Sequence, residues 1–230
     1  MAALVSLTFD DGLRCQFDKA LPILNQYKIP ATFFLIANKD ATHEPWDGHK
    51  DEWWKIEWSA SDIDDLKQSI KDGHEIGSHS VSHRIPNIEQ NPVVETQGSK
   101  RLIEDWLGTK IESFCYPYYR SPAYLEDAVK SAGYGQARGG AKNSYYSLSD
   151  ASSFDRFNVD CREISPNEKV PAWVHPGYWH VLTFHGIGGQ RDGWKPISVD
   201  DFSVLMQELA AYRDAGTAEI LTFKEAATRF

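Results

Sequence analysis

Four apolar runs in this chain stop abruptly on residues that carry chemistry. Val5-Ser6-Leu7-Thr8-Phe9 ends in Asp10-Asp11-Gly12, and Glu75-Ile76-Gly77-Ser78 in His79-Ser80-Val81-Ser82-His83. The run from Ile111 to Tyr116 ends in Pro117-Tyr118, and His180-Val181-Leu182-Thr183-Phe184 in His185-Gly186. Between the runs lie segments with helical spacing, so strand and helix alternate along the whole length. That alternation leaves two architectures, a doubly wound open sheet or a closed barrel. An open sheet spreads its strand tips along a line, whereas a barrel brings their C-terminal ends to one rim. Polar clusters at four separate strand tips favour the barrel.

The remaining segments fit this reading. Phe17 to Tyr27 places Leu21, Leu24 and Tyr27 on one helical side, and Ala31-Thr32-Phe33-Phe34-Leu35-Ile36 is apolar enough for a strand covered on both faces. A helix opens at Ser61 with a Ser-x-x-Asp cap reaching Asp64 and stops at Asp72-Gly73. Further helices are expected from Pro92 to Trp106, Pro122 to Ala132 and Val199 to Gly216, and a short strand over Gly135 to Arg138. The chain finishes as a strand from Glu219 to Thr222 and a helix from Phe223 to Phe230. Periodicity disappears between Ala37 and Ser59, a stretch holding His43, Trp46, His49, Trp53, Trp54 and Trp58, which reads as one wall of a cleft. From Gly139 to Pro176 short strands are expected, Phe157-Asn158-Val159 among them.

Composition removes several classes of function. A length of 230 residues with 41% hydrophobic content suits one domain. A net charge of -9 without a Lys/Arg cluster argues against nucleic acid or an anionic membrane as partner. No run is apolar for long enough to insert in a bilayer. Cys15, Cys115 and Cys161 lack CxxC spacing, which supports neither a disulfide framework nor a thiolate zinc site. Eight tryptophans and ten tyrosines suit flat apolar ligand faces such as sugar rings. Oligomeric state has no sequence signature here.

The strand tips themselves suggest a metal. Alone, Asp10-Asp11-Gly12 is a turn dipeptide preceded by a second acid. Two adjacent carboxylates repel, and a cation between them relieves the crowding. His79 and His83 lie four residues apart and share a face if their turn is helical. Two histidines and one carboxylate leave positions on a divalent ion open for water and substrate. The other aspartate is then free to deprotonate that water. His185, after a buried strand, is suited to general acid work.

Thr8-Phe9-Asp10-Asp11-Gly12, His79-Ser80-Val81-Ser82-His83, the turn from Phe114 to Tyr118 and Leu182-Thr183-Phe184-His185 occur in the order of the motifs of the polysaccharide deacetylases. The chain resembles that family, also called the NodB-homology or carbohydrate esterase family 4 group, from residue 4 to about 225. The resemblance implies a single-domain distorted (β/α)7 barrel comprising residues 1–230. It implies that Asp11, His79 and His83 hold one divalent cation, with Zn2+ expected and Co2+ or Ni2+ as alternatives. Asp10 would be the general base, His185 the general acid and the Tyr118 backbone N–H an oxyanion donor. The reaction would be metal-dependent hydrolysis of N-acetyl or O-acetyl groups on a glycan, of chitin, acetylxylan or cell-wall type. A small amide or ureide is the alternative substrate for the same chemistry, and a non-catalytic glycan-binding domain is the alternative from another class. A secreted or periplasmic location with the leader absent from this sequence is expected, with the cytoplasm as alternative.

Two departures from the family pattern stand out. Cys115 occupies the place of the third-motif arginine that orients the base, and Arg162, in Asp160-Cys161-Arg162, is the expected substitute. The fourth-motif tryptophan is absent too, with Trp179 or Trp194 as candidates for its place.

Overall fold

A computed structural model of the chain describes residues 1–38, 55–140, 145–166 and 174–230. In chain order the strands are β1 (Ala3–Phe9), β2 (Thr32–Leu35), β3 (Glu75–Ser78), β4 (Ser113–Cys115), β5 (Gln136–Arg138), β6 (Tyr146–Ser147), β7 (Arg162–Glu163), β8 (Tyr178–Phe184) and β9 (Ala218–Ile220). The helices are α1 (Leu21–Tyr27), α2 (Ala60–Lys71), α3 (Ile85–Gln90), α4 (Ser99–Leu107), α5 (Ala123–Ser131), α6 (Val199–Asp214) and α7 (Phe223–Ala227).

Hydrogen bonding closes the sheet into a ring. β1 pairs in parallel with β8 along its length and with β2 at Thr8 and Phe9. β2, β3, β4 and β5 follow in parallel succession. The segment 159–163 supplies the missing stave: Val159 bridges to Arg138 of β5, and Arg162 and Glu163 pair with Leu182 and Thr183 of β8. Seven staves result, which makes the molecule a distorted (β/α)7 barrel. β6 is an antiparallel addition on β8, and β9 pairs with the start of β1.

Period-two alternation splits each stave between two environments. Outward residues such as Val5, Leu7, Phe9, Phe33, Ile76, Phe114 and Leu182 form the main apolar core with Leu24, Leu66, Ile103, Leu125 and Phe202. Phe9 stacks on Phe33 at 4.9 Å and on Phe184 at 5.2 Å. Inward residues are largely polar and bond to one another across the ring. Thr8 Oγ1 lies 2.9 Å from Thr183 Oγ1, and Trp179 Nε1 donates to Ser6 Oγ at 3.1 Å. At the N-terminal end of the staves, Glu75 accepts bonds from the Thr32 and Ser113 hydroxyls, and Gln136 Nε2 donates to Ser113 Oγ. α7 plugs this end, with Phe223 5.9 Å from Phe34 and 5.6 Å from Trp179.

Several local expectations shift. The α2 cap is Ser59 paired with Asp62, in place of Ser61 with Asp64, because Asp62 also binds Arg14 and the backbone N–H of Glu57. The expected cleft wall between Ala37 and Ser59 falls mostly outside the described residues. Its last tryptophan belongs to the core instead: Trp58 is buried, donates from Nε1 to the Ile36 carbonyl at 3.1 Å and packs on Trp106.

Candidate active site

The C-terminal ends of the staves converge on one polar cluster. Gly12 permits the turn that carries Asp10 and Asp11 there. It adopts φ +67, and Leu35 Cδ2 lies 2.9 Å from the position of an added Cβ. Asp11 itself stands at φ +75, a region that Asp enters more readily than most residues. His79 and His83 are brought together by a bent loop, not by the helical turn that their spacing suggested. Ser80 and His83 are left-handed at φ +68 and +55, and the Ser80 hydroxyl accepts the His83 N–H at 2.9 Å. Glu95 holds this loop from below, accepting the N–H groups of Val81 and Ser82 and the Ser82 hydroxyl.

Asp11 Oδ1 lies 3.5 Å from Nε2 of both His79 and His83. The His79 Nδ1 atom is 2.9 Å from the Cys115 carbonyl, which can only accept, so Nδ1 carries a proton and Nε2 is the ring nitrogen that faces Asp11. Among the described residues, these three ligand atoms all lie within 4.8 Å of one another, as do those of Asp10, His79 and Cys115. In the second set the Arg138 guanidinium bonds to both Asp10 and Cys115, so a cation is already seated there. The donor set of Asp11, His79 and His83 therefore fits a divalent ion, two imidazole nitrogens and one carboxylate being a common set for one.

Asp10, 2% exposed, has a different environment. Arg138, fully buried at the end of β5, donates from Nη2 to Asp10 Oδ2. The same guanidinium donates to Cys115 Sγ at 2.6 Å and Cys161 Sγ at 2.9 Å. Burial raises both thiol pKa values, to about 11 for Cys161, so the sulfurs are neutral acceptors and Asp10 is the charge that balances Arg138. His185 Nε2 lies 3.7 Å from Asp10 Oδ2, and its Nδ1 lies 3.7 Å from Glu163 Oε1. Gln16 Nε2 ties the two strand tips together by donating to the carbonyls of Asp10 at 2.6 Å and His185 at 3.0 Å. Glu163 also accepts from Tyr119 Oη at 3.0 Å, from Trp194 Nε1 at 3.1 Å and from Lys195. Burial acts to raise the Glu163 pKa, but the Lys195 bond and the His185 charge outweigh it and hold the pKa below the usual glutamate value.

The site assembles Asp10, Asp11, His79, His83 and His185 as the motif order suggested. Tyr118 is there too, packed 4.5 Å from the His83 ring with its hydroxyl on the His83 carbonyl at 3.1 Å. Arg162 is not on Asp10. It alternates with Cys161, whose thiol points inward to Arg138, and pairs at Leu182, an outward position, so its side chain is directed out of the barrel. Trp179 lies inside the barrel near its plugged end, leaving Trp194 as the candidate tryptophan at the site. Arg138, Glu163, Gln16 and Tyr119 were not singled out from sequence. One signal for Arg138 existed: it ends a short strand, one place before the position that identified Asp10 and His79.

A family model described as polysaccharide deacetylase matches residues 2–137. The chain belongs to the polysaccharide deacetylase family. A peptidoglycan-N-acetylglucosamine deacetylase of Bacillus cereus is 29% identical over 139 residues, covering 57% of this chain and 54% of that protein. A chitin deacetylase of Colletotrichum lindemuthianum is 30% identical over 125 residues, covering 54% of this chain and 44% of that protein. This polysaccharide deacetylase family member thus spans about half the length, or less, of the curated relatives it matches. A family 4 acetyl xylan esterase from Clostridium thermocellum, solved in complex with a cobalt ion, shares the fold at a TM-score of 0.62. It is 18% identical, with 98% of this chain and 90% of that chain covered.

Proposed function

We propose that residues 1–230 form one catalytic unit that hydrolyses acetyl groups from an acetylated glycan outside the cytoplasm. The observation that carries this reading is the pair of adjacent acids in opposed settings: Asp10 neutralised by buried Arg138, and Asp11 facing two imidazole nitrogens. Asp11, His79 and His83 would hold a divalent cation, Zn2+ in the first instance, which supplies Lewis-acid polarisation and acidification of water when bound. Asp10, kept at the rim by Arg138, accepts the proton of the attacking water. His185, its Nδ1 directed at Glu163, delivers a proton from Nε2 to the departing nitrogen or oxygen. The backbone N–H of Tyr118, a residue whose ring packs on that of His83, would donate to the developing oxyanion. The negative charge of the chain favours neutral or amine-bearing glycans over strongly anionic ones. The two glycan deacetylases among its relatives support the substrate class.

The test is metal analysis of the purified chain, followed by acetate release from acetylxylan and from chitooligosaccharides with and without a chelator. Release from one substrate that stops on chelation and returns with Zn2+ supports the proposal. No release from either substrate by metal-loaded protein overturns it.

A further inference from the structure

Tyr119 touches both halves of the site. It lies on the turn after β4, where Tyr118 and Tyr119 both stand in left-handed backbone at φ +56 and +59. Two consecutive bulky residues in that region are unusual, and such conformations persist where side-chain contacts hold them.

The Tyr119 side chain makes three such contacts. Its ring lies 5.2 Å from the Arg138 guanidinium carbon. Its edge meets the His185 imidazole at 6.2 Å and 77°. Its hydroxyl donates to Glu163 Oε1 at 3.0 Å. Burial, with Asp10 adding to it, pushes the phenol pKa well up, so the hydroxyl remains a donor.

Each contact restrains a different motion. The bonds of Arg138 to Asp10, Cys115 and Cys161 run through its Nη atoms, in the guanidinium plane, and leave it least restrained across that plane. Aromatic rings supply that restraint, from Phe34 at 5.7 Å and from Tyr119. On the other side, Glu163 Oε1 faces His185 Nδ1, and the phenol hydroxyl fixes where that oxygen points. We propose that Tyr119 is a positioning residue that sets the Arg138–Asp10 pair and the His185–Glu163 pair at a fixed distance from each other. The inference rests on the deacetylase reading, in which a base and an acid act on one acetyl group in sequence. Relative placement of such groups matters because a misplacement of about 1 Å can cost about 100-fold in rate.

The experiment is steady-state acetate release by the full chain carrying Tyr119→Leu, Tyr119→Phe, Glu163→Gln or the Tyr119→Phe/Glu163→Gln pair, with metal content and Tm measured alongside. Tyr119→Leu is expected to lower kcat by roughly 30-fold or more while KM stays within about threefold and metal content is unchanged. Tyr119→Phe keeps the ring on Arg138 and recovers all but about a fivefold loss. The Tyr119→Phe/Glu163→Gln pair is no slower than Glu163→Gln alone, because the phenol hydroxyl acts on His185 through the carboxylate that the second change removes. Where Tyr119→Leu does not fold, the cycle between Tyr119→Phe and Glu163→Gln decides alone. A kcat for Tyr119→Leu within threefold of wild type, or strictly additive losses in the cycle, overturns the positioning role while leaving the deacetylase reading intact. A wild-type chain that releases no acetate overturns both.

Discussion

Asp10 and Glu75 are both buried inside the barrel, one at the C-terminal rim of the staves and one at the plugged end, and their surroundings differ in kind. Asp10 faces the guanidinium of Arg138. Glu75 is met by the hydroxyls of Thr32 and Ser113 and by the backbone N–H of Lys224 at 2.9 Å, which belongs to the first turn of α7. Burial raises the Glu75 pKa against the opposing pull of these bonds. The same holds for a neighbour on the plugged end, since burial lowers the His74 pKa to about 4. Glu75 and His74 are therefore driven towards their neutral forms, whereas Asp10 at the rim is an ion neutralised by another ion. A carboxylate beside a fixed cation can exchange protons with a substrate. A carboxyl gripped by hydroxyls and a helix start acts as a rivet.

The largest predicted effects separate the two ends by activity. Asp10→Asn should retain about one cation per chain but lose turnover by about 1,000-fold or more, whereas His79→Ala should lose both, as metal analysis and acetate release would show. Equal metal loss in the two variants would break the division of labour between Asp10 and Asp11. Next in size, Arg138→Gln leaves Asp10 buried without its partner and should cost about 3–5 kcal/mol in urea unfolding, with a fall in kcat. If stability and kcat survive, the rim does not depend on charge neutralisation. Glu75→Ala is expected to cost about 1–3 kcal/mol through the donors it orphans, with kcat within about twofold of wild type. A large kcat loss there would dissolve the contrast between rivet and reactive group.

The smallest effect concerns pH. His74 accepts the Ala31 N–H at Nδ1, 3.2 Å, so its Nε2–H donates to Asn25 Oδ1 at 2.9 Å, and this pattern requires the neutral ring. Its folded pKa, lowered to about 4, lies beneath the ordinary value of 6.5. As pH falls below 6.5 the unfolded chain gains a proton that the folded chain refuses, so stability drops until the folded pKa is reached. By pH 5.5 the loss should be about 1.4 kcal/mol, seen as a steeper decline in wild type than in His74→Asn by urea titration. Parallel slopes would show that His74 is charged in the folded protein.

Local pattern carried much of this structure. The strands around Asp10, His79 and His185 follow from apolar runs that end on polar residues, and α6 from its Phe202, Leu205, Met206 and Leu209 stripe. Other features had no local signature. The stave at 159–163 is held by bonds to β5 and β8 and not by its own periodicity, so the strand expected over Phe157 to Val159 meets it only at Val159, Phe157 and Asn158 lying in a turn. A spacing of four would have brought the two histidines together on a helical turn, but left-handed Ser80 and His83 achieve the same convergence in a loop. Trp58 read as a cleft residue because composition does not tell a solvent-facing ring from one bonded to Ile36 and packed on Trp106.

The sequence by itself determined that Asp10, His79 and His185 reach the rim, because each sits immediately beyond a strand whose apolar pattern is local. Set beside the family pattern it resembles, it also exposed the absence of an arginine at Cys115. What supplies that charge was decided only by tertiary structure. Arg138 and Asp10 are 128 residues apart, and they meet because alternation on β5 turns Arg138 into the barrel while β7 turns Arg162 out of it. A one-residue difference in register reverses the direction of a side chain, and neither strand is long enough to announce its register in sequence.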